Sequence, residues 1–268
     1  MSDDANVIQN PWQQLRQFSA ARIALGRTGV SLPTAPQLAF QLAHAQARDA
    51  VHRELDAPDL AQSLTAAFNL PCICVHSAAA DRATYLRRPD LGRKLDAQSR
   101  LALAALMRPV TPYDIGFVIA DGLSALAIER HALPFLRSAM QAMAPSALSL
   151  APLVIARQSR VALGDDVAQL LGVQLVVIMI GERPGLSSPD SMGLYLTWQP
   201  RVGMTDERRN CISNVRLAGL AYEDAAHKLH YLVTQARRRG LSGVALKDDS
   251  SERATRAVVG HANFLLPF

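Results

Sequence analysis

Short apolar runs recur along the middle of the chain, between residues 72 and 198. They are six to eight residues long and largely β-branched, which is typical of strands buried in a sheet. The sequence therefore predicts five strands. The runs are CICVHS (72–77), IGFVIADG (115–122), APLVIARQ (151–158), VQLVVIMI (173–180) and GLYLTW (193–198).

Segments with helical periodicity separate most of these runs. They span 93–107, 124–143 and 165–171, and a last helix over 223–239 is followed by Gly240, a residue type that commonly ends helices. Strands that alternate with helices predict a mostly parallel sheet covered by helices on both faces. We therefore expect an α/β fold with a Rossmann-like sheet.

Residues 1–70 are expected to form a helical N-terminal region. One helix is predicted over 37–55, with Thr34 as its N-cap, and a shorter helix over 59–69. Their apolar stripes are Leu38, Leu42 and Ala45 in the first helix and Leu60, Leu64 and Phe68 in the second.

The Rossmann-like domain is expected over 71–246, and residues 247–268 are expected to form a C-terminal tail. The tail begins with a linker, KDDSSER, and ends in FLLPF. The helices of the N-terminal region and the apolar end of the tail are candidate docking surfaces for a partner.

The composition is ordinary for a globular protein, with 49% hydrophobic and 19% charged residues among 268. No apolar run approaches the roughly 18 residues that span a membrane, and the start MSDDANVIQN lacks a secretory pattern. Three cysteines, Cys72, Cys74 and Cys211, cannot form a disulfide framework, so we expect a reducing cytoplasm and no membrane partner.

The net charge of +5 is spread over short arginine clusters, such as the one at 237–239. Only five Tyr and two Trp are available to stack on bases. Solvated helix faces or contacts with a protein partner therefore explain the charge better than nucleic acid, which is kept as a weaker alternative.

Motifs of several common enzyme classes are missing. No predicted strand is followed by G-x-G-x-x-G, and neither a P-loop lysine nor G-x-S-x-G occurs, so dinucleotide, nucleotide-triphosphate and hydrolase chemistry lose support. The turn DGLS (121–124) can hold a ligand near a helix start, or it can be only a turn and an N-cap. Both interpretations stay open.

Two groups of potential metal ligands have simpler explanations. Cys72 and Cys74 point to one face of a strand, but no second cysteine pair follows, so buried, inert cysteines are favoured over a metal site. His227 and His230 lie one turn apart on a helix, with Glu223 before them, and a solvent-facing polar stripe is favoured there.

Two charges stand at the carboxyl end of the fourth predicted strand, in ERPG (182–185). Ligands of open α/β sheets bind at that end of the strands. Pro184 and Gly185 make a rigid turn, on which Glu182 can accept hydrogen bonds from amide or hydroxyl donors and Arg183 can contact a phosphate. The alternative is an ion pair between Glu182 and Arg183.

Five blocks in order resemble the light (small) chain of ethanolamine ammonia-lyase, over about residues 11–243. They are SARIALGRTGVSLPT, YLRRPDLGRKL, VIADGLSALAI, VVIMIGERPGLSSPDSMGLYL and DERRNCISNVR. The resemblance implies a Rossmann-like subunit that works with a heavy chain, a β/α barrel, in a hetero-oligomer of several heavy–light pairs. That enzyme uses adenosylcobalamin (coenzyme B12) to convert ethanolamine into acetaldehyde and ammonia, and its radical chemistry takes place in the heavy chain.

The resemblance also implies three cofactor contacts in this chain, and no catalytic residue or metal ligand. The contacts correspond to Val161 in RQSRVALGDD, Glu182 in GERPG and Cys211 in CISN. The cofactor is expected between the two chains, with the light chain on the lower side of the corrin and on its nucleotide tail. D-x-H-x-x-G, typical of cobalamin proteins that bind the cofactor base-off, is absent, which fits a cofactor whose own base stays on cobalt.

A stand-alone α/β module that binds a nucleotide-like metabolite is the alternative function from another class. A cytoplasmic location is expected for either function. Some relatives carry a longer N-terminal leader that is linked to packaging in bacterial microcompartments. This sequence lacks such a leader, so packaging stays open.

Overall fold

A computed structural model of the chain describes residues 7–106 and 110–250. Within these ranges, one six-stranded sheet carries helices on both faces. The FLLPF end of the tail and Met107, at the end of one predicted helix, lie outside the described residues.

All five predicted strands exist, with bounds that differ from the prediction by at most two residues, and a sixth follows them. The strands are β1 (Cys72–His76), β2 (Tyr113–Ala120), β3 (Leu153–Arg157), β4 (Val173–Gly181), β5 (Met192–Trp198) and β6 (Arg209–Val215). The α-helices are α1 (Thr34–His52), α2 (Ala57–Phe68), α3 (Arg82–Arg87), α4 (Ala97–Ala104), α5 (Ala125–Met143), α6 (Leu163–Leu171) and α7 (Tyr222–Arg239).

The sheet is mixed, with the strand order β1-β3-β2-β4-β5-β6. The first four strands in this order are parallel, and β5 and β6 extend the sheet antiparallel to their neighbours. The expectation of a mostly parallel sheet is therefore correct for four of the six strands, β1 to β4. Ten residues without a helix (182–191) join β4 to β5, which is too short for the crossover that a parallel pair needs.

Apolar side chains of the central strands alternate between two cores. Phe117 and Val177 face α2, α5 and α7, whereas Val118 and Ile178 face α4 and α6. All four side chains are buried, and each contributes about 1.5 to 3 kcal/mol by leaving water. This double coverage explains why the central strands read as continuous apolar runs.

Helix ends follow the predicted capping residues in two cases out of three. Ser124 caps α5, because its Oγ accepts a hydrogen bond from the N–H of Ala127 at 3.3 Å. Gly240 ends α7 in the left-handed conformation, with φ +66°. The prediction for Thr34 is wrong, since Thr34 is the first residue of α1 and Pro33 occupies the cap position.

The N-terminal region is helical only in its second half. Residues 8–31 form a 3-10 helix (Pro11–Gln17) and isolated bridges, and α1 and α2 follow. The stripe of α2 is confirmed: Leu60 and Leu64 are buried and Phe68 packs against the core. The stripe of α1 is not: Leu38 and Leu42 are 58% and 60% exposed, and the residues that α1 buries are Ala43 and Ala50.

Within residues 7–106 and 110–250, no helix combines the length and the hydrophobicity that crossing a bilayer demands.

Candidate functional site

The carboxyl ends of β2 and β4 are packed against each other without room for a side chain. The N–H of Leu123, in the turn after β2, donates to the carbonyl oxygen of Gly181 at 2.9 Å. A Cβ on Gly181 would lie 2.1 Å from the carbonyl oxygen of Ser124 and 2.5 Å from that of Asp121. Glycine is therefore required at Gly181, and the residue that follows, Glu182, starts from a fixed position.

The Asp121 carboxylate accepts hydrogen bonds from the backbone of this chain. It is buried, and it accepts hydrogen bonds from the N–H groups of Gln158 (2.8 Å) and Ser159 (3.0 Å), which follow β3. Burial raises the pKa of Asp121, and these two hydrogen bonds oppose the rise. Ser124 caps α5 and donates to the carbonyl oxygen of Pro189 at 2.9 Å. Of the two interpretations of DGLS, the structure supports a turn and a cap.

Glu182 presents a half-buried carboxylate at the end of β4. From the residues that the structure describes, its oxygens accept one hydrogen bond, from the backbone N–H of Asn214, at 3.3 and 3.2 Å. Arg183 is exposed, and among the described residues no ion pair joins it to Glu182. Because a carboxylate accepts about four hydrogen bonds, Glu182 keeps acceptor capacity for a ligand.

Tyr195 connects Glu182 with Cys211. In the β5–β6 pairing Tyr195 lies opposite Cys211, on the face of the sheet that carries α4 and α6. Between Glu182 and the Tyr195 ring is Gly193, whose Cβ would lie 3.0 Å from the Glu182 Oε1. Burial, then the neighbouring Cys211 thiol and Glu182 carboxylate, raise the pKa of Tyr195 above its ordinary value. The hydroxyl is therefore a donor at neutral pH.

Cys211 is exposed, with its Sγ 3.4 Å from the Oγ of Ser213. Val161 is half-buried in the turn that opens α6, and its carbonyl oxygen accepts from the N–H of Gly164 at 3.1 Å. It packs against the same core as Tyr195, under α4 and α6. The structure thus groups Glu182 and Cys211 around Tyr195 and places Val161 on the same side of the sheet.

Arginine side chains hold the loop from Leu186 to Asp190, Arg130 of α5 among them, which donates to the Asp190 carboxylate at 2.8 Å. Arg216 donates to the Ser187 carbonyl oxygen at 3.3 Å and lies 3.8 Å from the Asp190 carboxylate. Arg22, from the N-terminal region, donates to the Leu186 carbonyl oxygen at 3.3 Å. These contacts bring the N-terminal region beside the turn that carries Glu182.

The other candidate groups do not form sites in the described part of the chain. The expectation of two buried cysteines is wrong, because β1 lies at the edge of the sheet and leaves Cys72 half-buried and Cys74 exposed. His227 is exposed and His230 is half-buried beside the Ser146 hydroxyl, which agrees with a polar stripe. Over the two described ranges, no group of three potential ligands can hold a metal ion.

Sequence analysis missed Tyr195 and Asn214. The alternation of GLYLTW places Tyr195 on the face opposite Leu194 and Leu196, so a period of two was an available signal. Asn214 contributes only a backbone N–H to Glu182, which no side-chain pattern reveals.

These observations define a class of protein: an α/β protein whose candidate ligand site lies where its parallel strands end, without the glycine fingerprint of dinucleotide binders. Comparisons with known proteins identify the family within this class. The family model described as ethanolamine ammonia-lyase light chain (EutC) matches residues 9–247.

Three similar proteins carry the name ethanolamine ammonia-lyase small subunit. The one from Pseudomonas fluorescens (strain Pf0-1) is 54% identical over 262 residues, 96% of this chain and 95% of its own. The one from Ralstonia nicotianae is 55% identical over 264 residues, 98% and 96% of the two chains. The one from Azotobacter vinelandii is 53% identical over 268 residues, 99% of both. The chain belongs to the ethanolamine ammonia-lyase light-chain family.

Proposed function

We propose that this chain is the light chain of an ethanolamine ammonia-lyase, which together with a heavy chain binds adenosylcobalamin and supports the conversion of ethanolamine into acetaldehyde and ammonia. The observation that carries the proposal is the family match over 9–247, together with relatives of that name that cover nearly the whole chain. We further propose that β1–β6 and their helices act as the Rossmann-like cofactor-binding domain, in a cytoplasmic enzyme.

The residues at the carboxyl end of β4 fit the chemistry of this cofactor. A corrin has a broad apolar face and carries amide side chains, and its nucleotide tail carries hydroxyl donors. Glu182 offers unused acceptor positions, while Cys211 and Val161 offer small, weakly polar surfaces on the same side of the sheet. When bound, the cofactor supplies the radical chemistry of the lyase.

This chain contributes binding and orientation in the proposal. Glu182 orients amide or hydroxyl donors of the cofactor, and its own direction is set by Gly181 and by the N–H of Asn214. Val161 and Cys211 limit the space beside it. We assign no general acid, general base or nucleophile to this chain, so the substrate is handled by the heavy chain.

A heavy chain also accounts for the apolar surface of the N-terminal region. Most of the large hydrophobic side chains that the described residues expose lie between residues 8 and 42. An apolar concentration of this kind marks a partner surface. The exposed residues in that segment are Ile8, Trp12, Leu15, Phe18, Ile23, Val30, Leu32, Leu38, Phe40 and Leu42.

The division of labour can be tested with purified chains. Ammonia release from ethanolamine is measured with adenosylcobalamin and the light chain, the heavy chain, or both together. We expect turnover only from the combination. Turnover by the pure light chain would contradict the proposal, and so would full turnover by the heavy chain alone.

The site can be tested by titrating adenosylcobalamin into the heavy–light complex and following its visible spectrum. Glu182→Ala should weaken binding by about tenfold or more, because it removes charge-assisted hydrogen bonds. Glu223→Ala is the matched control, since Glu223 is exposed on α7, which packs on the other face of the sheet. Equal affinities for the Glu182 variant and the wild type would remove Glu182 from the site.

A further inference from the structure

Arg209, the first residue of β6, forms a fully bonded ion pair with Asp165. Both side chains are only 1% exposed. The two terminal nitrogens of Arg209 donate to the two carboxylate oxygens of Asp165, at 2.7 and 2.6 Å. Its remaining N–H groups donate to the Thr197 hydroxyl (3.0 Å), the Met204 carbonyl oxygen (3.1 Å) and the Asp206 carboxylate (3.2 Å). Every donor of the guanidinium therefore has an acceptor.

The pair joins the two segments that carry Val161 and Cys211. Asp165 lies in the first turn of α6, where its N–H donates to the carbonyl oxygen of Ala162, next to Val161. Arg209 precedes Cys211 by two residues, and residues two apart on a strand share a face of the sheet. The pair therefore links the first turn of α6 to the antiparallel edge strand β6.

Two further contacts connect α6 and β6 with β4, the strand that leads to Glu182. Gly164 lets the first turn of α6 approach the sheet closely, since a Cβ there would lie 2.2 Å from the Cδ1 of Ile178. The Glu182 carboxylate accepts from Asn214, also in β6. The position of Cys211 relative to Val161 and Glu182 thus depends on where β6 lies relative to α6 and β4.

A contribution to stability does not by itself explain why a buried ion pair such as Arg209–Asp165 is present. Removing two charges from water carries a large desolvation penalty, and buried ion pairs are often replaced by apolar residues without loss of stability. Their bidentate geometry instead fixes one arrangement of the elements that they join. At this place, the arrangement that is fixed is the spacing between two segments of the candidate site.

We propose that Arg209 and Asp165 are positioning residues, which set the distance between the α6 turn and β6 so that Val161, Glu182 and Cys211 contact one ligand together. The ligand is the cofactor assigned above, so this inference rests on the proposed function. Neither residue contacts the ligand itself, because both are enclosed by protein.

The test uses the heavy–light complex and the variant Arg209→Lys, which keeps the charge but cannot form the bidentate pair. Arg100→Lys is the matched control. Arg100 pairs with Asp166, the neighbour of Asp165, but this second pair ties α6 to α4, away from β6. For each complex, adenosylcobalamin affinity is measured at a temperature well below the unfolding midpoint, which is recorded separately.

We expect Arg209→Lys to weaken adenosylcobalamin binding by about tenfold and Arg100→Lys to leave it unchanged. The double variant Arg209→Lys with Asp165→Glu should recover part of the affinity, because the longer carboxylate side chain compensates for the shorter cation. If the affinities of Arg209→Lys and Arg100→Lys are equal, the positioning role is refuted.

A second variant keeps the test decisive if the Arg209→Lys complex does not assemble. Asp165→Glu alone keeps both charges and pushes α6 and β6 apart, so it should also weaken binding; unchanged affinity would refute the role. Failure of the wild-type complex to bind adenosylcobalamin is a different result, which refutes the proposed function and this inference with it.

Discussion

Replacing Gly181 by alanine should separate the carboxyl end of β4 from the turn after β2, where the candidate site lies. The new Cβ would meet three backbone atoms, the carbonyl oxygen and carbon of Ser124 at 2.1 and 2.7 Å and the carbonyl oxygen of Asp121 at 2.5 Å. None of these atoms can rotate away as the end of a side chain does. The end of β4 and the turn after β2 must therefore separate by roughly 1 Å to reach van der Waals contact.

The expected loss of stability follows from this geometry. Overpacking of this kind costs about 1 to 3 kcal/mol, and the hydrogen bond from Leu123 to the Gly181 carbonyl oxygen is strained at the same time, for about 1 kcal/mol more. We expect a loss of about 2 to 4 kcal/mol in urea unfolding followed by circular dichroism. Without the clash, a glycine-to-alanine change would stabilise the fold by about 0.4 to 1 kcal/mol. The sign of the change in the free energy of unfolding therefore shows whether the clash exists.

Gly185→Ala, in the loop that follows β4, is the control. A Cβ there comes closest to the Ser188 Oγ, at 2.8 Å, and that hydroxyl can rotate away. Its free energy of unfolding should stay within about 1 kcal/mol of the wild type. If Gly181→Ala unfolds at the same urea concentration as the wild type, the close packing of Gly181 against the turn after β2 is refuted.

Other substitutions test separate features by the same unfolding assay. Ser124→Ala removes the α5 cap and should cost about 1 to 2 kcal/mol; an unchanged midpoint would argue against the cap. Leu64→Ala should cost about 2 to 5 kcal/mol, whereas Leu42→Ala, on the exposed side of α1, should cost less than about 0.5; equal costs would contradict the burial described. Burial lowers the pKa of His131 from 6.5, against the influence of Asp190, so the unfolded chain binds more protons and stability should fall as the pH drops below 6.5. His131→Gln should reduce that slope, and parallel pH profiles would contradict it.

The central parallel strands β2, β3 and β4 could be predicted from the sequence because they are buried on both faces. Their short, β-branched apolar runs indicate buried strands, and the predicted bounds lie within two residues of those of β2, β3 and β4. Helix ends could be predicted where a side chain or a backbone conformation does the capping, as at Ser124 and Gly240. Local chemistry decides these features.

The antiparallel strands could be predicted only in part, because β5 was predicted as a strand without its direction and β6 was not predicted. In β6 only Ile212 and Val215 face the core, and polar residues separate them, so no apolar run marks this edge strand. The direction of β5 depends on the length of the connection after β4, which contains no helix. The apolar stripe of α1 has helical periodicity, but in the part of the chain that the structure describes Leu38 and Leu42 are exposed.

The candidate site was predictable at Glu182, where a charge follows a buried strand. Val161 and Cys211 came only from the resemblance to a family. The ion pair of Arg209 and Asp165, which we propose positions them, joins residues 44 positions apart in the sequence and has no local signal. Contacts of this kind are set by the packing of elements, and a single sequence does not reveal them.

The central claim is that the turn after β4 binds half of a cofactor whose other half is held by a separate chain. The most direct test is an experimental structure of the heavy–light complex with adenosylcobalamin bound. We predict an amide or hydroxyl donor of the cofactor within hydrogen-bonding distance of the Glu182 carboxylate, with Val161 and Cys211 in contact with the same molecule. A cofactor bound away from Glu182, or enclosed by the heavy chain alone, would contradict the claim.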